Sequence, residues 1–133
     1  MKPQFLYPIL LLIGGVGYGC IELAARGYTH WTMVVLGGLC LAGLYRLDLA
    51  LARLPLLVRA AAGAAMVTAA ELAAGLVLNC WLGLRIWDYS REPMHLWGQI
   101  CPRFSLAWYG LCLGSMLAFA AGRALAVRLR RRA

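Results

Sequence analysis

ELAAGLVLNCWLGLRIWDYSREPMHLWGQICPRFSLAW, residues Glu71 to Trp108, is the stretch whose reading decides the fold. It begins with a carboxylate inside an apolar run. It passes through a polar, aromatic-rich segment, Arg85 to Gln99, and re-enters apolar sequence after Pro102. The rest of the chain reads as apolar scaffold around it. The 133 residues are 63% hydrophobic, with a mean hydropathy of +0.75. Ordinary soluble domains are about 45–50% apolar, so lipid must be the solvent for much of this surface.

Working outward, the chain reads as one transmembrane domain, residues 1–133. It is an all-α four-helix bundle with an outward polar and aromatic segment between the third and fourth helices. A bilayer crossing takes roughly 20 apolar residues, which leaves room for four spans and little else. They are expected at about 5–24, 31–51, 56–84 and 104–122, followed by a basic tail, 123–133. Lys2 followed by an apolar run resembles a signal peptide, but no A-x-A cleavage site follows, so the segment is read as a retained first helix. Pro55 stops the second span. Small residues spaced by four, Gly15 and Gly19, Gly38 and Ala42, Gly110 and Gly114, allow close helix approach and point to homo-oligomers. The run AAAGAAMVTAAELAAG of the third span favours helix contact over lipid contact for the same reason.

The net charge is +8, and five of the 13 basic residues lie in the last eleven positions. Beside a membrane helix such a tail reads as an anchor to anionic lipid rather than a nucleic-acid site. Lys2, Arg46, Arg53, Arg59 and the tail place nine basic residues on one side. Arg26, Arg85, Arg91 and Arg103 place four on the other. Basic residues resist translocation, so both termini are expected in the cytoplasm of a multi-pass inner (plasma) membrane protein. The tryptophans flanking the 85–103 segment then suit an interfacial belt.

Glu71 is the sharpest chemical signal. Counting from Arg59 at about 1.5 Å per residue, it lies near the bilayer midplane, where a charge is costly. It must therefore be protonated, meet a cation, or lock helix packing through Thr68 or Asn79. Glu22 lines the same cavity or pairs with Arg26, four residues on. Asn79 lines the cavity or makes an interhelical hydrogen bond. Trp87, Asp88 and Tyr89 form an outer rim or ordinary turn chemistry. Arg103 meets a carboxylate or an anionic group. Five cysteines lack zinc-ligand spacing, and no hydrolase, phosphate-loop or metal motif occurs. No catalytic residue, metal or cofactor is assigned.

Glu71, Gly75, Leu78-Asn79, Ile86-Trp87-Asp88-Tyr89-Ser90, Pro93, Gly98-Gln99-Ile100-Cys101, Phe104-Ser105-Leu106 and Trp108 together resemble the ABC-transporter type IV permease family, small bacterial integral membrane proteins. The pattern covers under a third of the chain, with a weaker match in the Glu22 helix. His95 stands where an asparagine-like residue is expected. The resemblance implies a multispanning protein with a transport role, and any ATP dependence would need a partner subunit. Three functions follow. One is transport or binding of a small solute or proton at Glu71, with Glu22 and Asn79 in the cavity and Trp87, Asp88 and Tyr89 at the rim. A second is an enzyme acting on lipid, with Glu22, Asp88 and Arg103 converging on a groove. The third is an accessory subunit, with Glu71 sealed in packing.

Overall fold

A computed structural model describes residues 3–133; Lys2, which entered the charge count, lies outside them. With no water to bind its backbone, an apolar chain in lipid satisfies its N–H and C=O groups within helices. Four result: α1 (Pro3–Arg26), α2 (Trp31–Ala50), α3 (Leu56–Gly75) and α4 (Pro102–Arg132). All four are long and apolar enough to cross a membrane, α3 together with its π-helical continuation Leu76–Trp81. The chain is a membrane protein in contact with lipid.

Local chemistry sets the ends. Gly27 follows α1 in a left-handed conformation (φ 75°). The His30 ring accepts a hydrogen bond from Thr32 N at 3.3 Å and caps α2. Pro102 opens α4, where its missing N–H costs nothing. That helix is about 46 Å long at 1.5 Å per residue, against a hydrocarbon core of about 30 Å. Its last turns, Arg128 to Arg132, are helical and exposed.

Two helix hairpins pack together through α2. In the first, glycines let α1 and α2 touch through their backbones. A Cβ on Gly14 would lie 2.7 Å from Gly37 O, and one on Gly38 would lie 2.6 Å from Leu11 O. The second packs α3 on α4, with Leu44, Ala60, Cys112 and Met116 as its buried core. No Cα of α1 comes within 8 Å of any Cα of α3 or α4. A gap therefore separates α1 from α4. Gly110 and Gly114 of α4 face open space.

Between α3 and α4 the chain folds back as a cap on the bundle. Leu82 N bonds to Val77 O at 2.9 Å, a five-residue step that widens the helix. A hairpin turn follows, in which Trp97 (φ 51°) and Gly98 (φ 69°) are both left-handed, as in a type I′ turn. Leu96 N donates to Ile100 O at 2.9 Å, and Gly98 N donates to His95 Nδ1, also at 2.9 Å. The imidazole thus plays the acceptor part that an asparagine oxygen would play at position 95. Ile86 and Trp87 are buried against Met33 of α2. Gly75 admits the cap: a Cβ there would collide with the Gln99 side chain and lie 3.0 Å from the Trp87 ring. Gly75→Val is therefore expected to destabilise the chain by about 1–3 kcal/mol, the usual cost of overpacking, measured as a lower thermal midpoint in detergent. A midpoint equal to wild type would show that the cap does not seat on α3.

At the opposite end Asp48 is 1% exposed. Its Oδ1 accepts from Arg59, and its Oδ2 accepts from Arg123 Nη2 at 2.9 Å. One carboxylate thus ties α2, α3 and α4 together. All five cysteines are free thiols.

Candidate functional site

Glu71 lies on the buried side of α3 and is 3% exposed. Tyr89 of the cap donates its hydroxyl to Oε1 at 2.7 Å. Trp108 of α4 donates its indole N–H to Oε2 at 3.0 Å. Neither Thr68 nor Asn79 bonds to it. Thr68 instead pairs with Ser105 at 3.0 Å across α3 and α4. Tyr89 is held in place by stacking on Phe104, with centroids 4.6 Å apart. Burial first, and the neighbouring Glu71 carboxylate second, push the Tyr89 hydroxyl well above the ordinary tyrosine range. It remains a hydroxyl, able to donate, at any physiological pH.

The five acidic residues differ in one decisive respect. Glu22 pairs with Arg26, Asp48 with Arg59 and Arg123, and Glu92 with Arg103. Asp88 is exposed, and its carboxyl accepts from Ser90 N at 2.9 Å and from Ser90 Oγ at 3.0 Å. The backbone bond, then the side-chain bond, hold it below the usual carboxylate range. Among the described residues, Glu71 is the buried carboxylate with neutral donors and no cation.

Glu71 also forms part of the wall of a cavity of about 250 Å³. The walls come from all four helices and are mainly apolar; the polar groups are those of Tyr18, Cys40, Glu71, Trp108, Cys112 and Ser115. Among the described residues, no Lys, Arg or His lines it. Tyr18 and Trp108 meet across the α1–α4 gap with ring centroids 5.7 Å apart.

The other residues singled out in the sequence build the cap rather than the cavity wall. Asn79 donates to Gln99 Oε1 at 2.8 Å and accepts from Ile86 N at 2.7 Å. The Trp87 indole donates to Gln99 O at 3.0 Å. Glu22 is 6% exposed and orients Arg26, whose Nη1 donates to Ile86 O at 3.0 Å. Arg103 reaches Glu92 at 3.3 Å. Glu22, Asp88 and Arg103 each bond to a different partner, Arg26, Ser90 and Glu92. Tyr18 and Trp108 are site residues that sequence reasoning missed. The available signals were the i, i+4 row Gly14, Tyr18, Glu22, and an indole beginning an apolar span. Among the described residues, no group of three or more His, Cys, Asp and Glu could hold a metal ion.

The family described as Putative ABC-transporter type IV matches residues 1–128, far beyond the Glu71–Trp108 core. No curated protein and no solved structure matches the chain.

Proposed function

The chain belongs to this family of putative ABC-transporter type IV proteins and is a membrane transport-related protein; on that premise we propose that Glu71 is the site at which a proton or a cationic solute is bound and carried. The observation that carries this reading is a buried carboxylate with two neutral donors, no basic partner and a cavity beside it. Isolated charge in such surroundings is costly. The group lowers that cost by taking a proton or a cation.

The two donors suit both states. An ionised carboxylate accepts from Tyr89 and Trp108 together. The indole can only donate, which keeps Oε2 an acceptor. A proton therefore goes to Oε1, and the Tyr89 hydroxyl turns to accept it. In either state both Glu71 oxygens keep a hydrogen-bond partner. The cap couples to this exchange, because Tyr89 belongs to it. In this reading Trp87 and Asp88 form the outer rim around Tyr89, Arg103 steadies it through Glu92, and Glu22 and Asn79 brace it from the helices.

The arginine-rich end, with Arg46, Arg53, Arg59 and the α4 terminus, would lie in the cytoplasm of the inner membrane, by the positive-inside rule. The cap would then face out. The unpartnered Gly110 and Gly114 face of α4 would receive a second copy or a partner subunit. The test is proton movement in liposomes holding the full chain and a trapped pH dye. Wild type is expected to relax an imposed pH gradient, with or without added solute, and Glu71→Gln to lose that relaxation. Equal rates in both would refute the proposal.

A further inference from the structure

We propose that the Glu71 cavity takes a small hydrophobic organic monocation, an aromatic or alkyl ammonium, which enters sideways from the bilayer between α1 and α4. The inference rests on Glu71 being the charge-binding site and adds the class of solute and its route.

The route follows from packing. Helices α2 and α3 close the back of the cavity, while the backbones of α1 and α4 stay apart along its front, spanned at one point by the Tyr18–Trp108 ring contact. Exposed residues Ile13, Gly17 and Ile21 of α1 and Leu111 of α4 edge this gap. The outer end is shut by Ile86 and Trp87, both buried, and by the Arg26 bond to Ile86 O. A solute dissolved in lipid meets an opening, whereas one in outside water meets the cap.

The chemistry follows from the walls. A cavity of about 250 Å³ lined mainly by apolar groups favours an apolar body. It falls below the range of about 300–1,000 Å³ for drug-sized ligands, so that body is small. Its one charged group, Glu71, calls for one positive charge. Each Glu71 oxygen accepts one bond from a neutral donor, which leaves the negative charge free to attract a cation with or without N–H groups. The Tyr18 and Trp108 rings line the same cavity, and aromatic faces attract organic cations. With no Lys, Arg or His among the described residues of the lining, no basic group there competes for the carboxylate or repels the ligand.

The probe is radiolabelled benzyltrimethylammonium, with the full chain in nanodiscs of zwitterionic lipid. Neopentylbenzene, the neutral isostere, serves as competitor. Wild type should bind the cation saturably, and neopentylbenzene should not displace it. Glu71→Gln should bind roughly tenfold more weakly or worse, the scale of losing one charge-assisted contact. Gly17→Leu should also bind less, because it fills the cavity from a position where a Cβ meets no atom within 4 Å. This second variant leaves the carboxylate untouched and stands if the first misfolds. Absent saturable binding, equal affinity in wild type and both variants, or displacement by the neutral isostere would each overturn the inference. Proton movement that depends on Glu71 without cation binding would overturn the solute class alone. Loss of Glu71 dependence in both assays would overturn the underlying reading too.

Discussion

Asp48→Ala is expected to destabilise the chain by about 3–5 kcal/mol, the cost of removing one partner from a buried ion pair. Asp48 has 1% exposure, and its side chain joins Arg59 of α3 to Arg123 of α4. Without it two guanidiniums stand together with no counter-charge. Arg59 Nε and Arg123 Nη1 are already buried without hydrogen-bond partners, so they offer no compensation. Asp48→Asn should cost less, since an amide oxygen still accepts one bond. The measurement is unfolding in detergent, by heat or by titration with sodium dodecyl sulfate. Alanine and wild-type curves that coincide would show that apolar packing alone holds α2, α3 and α4 together.

The second large effect is a contrast at Glu71. Glu71→Ala strips the acceptor from Tyr89 Oη and Trp108 Nε1 and opens a void, with an expected loss of about 2–5 kcal/mol. Glu71→Gln should fold like wild type. Its amide oxygen accepts from Trp108, and its NH₂ donates to Tyr89 Oη, so the side chain keeps both partners. Charge is the property that glutamine lacks. A folded Gln variant without proton movement therefore assigns function to the charge, while a destabilised Ala variant assigns stability to the hydrogen bonds. Equal stability of Ala and wild type would contradict the bonding described here. Asp88, outside the spans, adds a pH dependence of its own. A carboxyl held below its ordinary value gives its full stabilisation above about pH 4 and loses it as pH falls through the lower folded value.

The sequence made the four spans legible because their length is set by lipid: long apolar runs, broken by Pro55 and by the polar 85–103 segment, leave few alternatives. It also made Glu71 legible, since a lone carboxylate inside a small-residue helix has few harmless explanations. What surrounds Glu71 was not legible. Trp108 reads as a belt residue until its indole is seen 3.0 Å from Oε2. Tyr89 lies 18 residues from Glu71 in sequence and meets it only because the π-helical turn and the left-handed pair at Trp97 and Gly98 fold the cap inward. Asn79 shares an approximate face with Glu71, yet that same turn commits it to Gln99 and Ile86. Asp48 reads as the mark of a helix exit. Its burial depends on Arg123, 75 residues away, a pairing that helical periodicity alone does not reveal. The small-residue pairs divide in a similar way. Gly15 packs on Val34 inside the chain, whereas Gly110 and Gly114 face outward.

In the proposed function Glu71 is one titratable carboxyl without a resident cation. Infrared difference spectra of the full chain in nanodiscs, recorded across pH and referenced to Glu71→Gln, test it most directly. The expected result is a protonated-carboxyl C=O band, absent from the variant, that gives way to carboxylate bands as pH rises. Added benzyltrimethylammonium should move that transition to lower pH, because a bound cation favours the ionised form. A carboxyl that stays in one form at every pH, or bands identical in wild type and variant, would contradict the account.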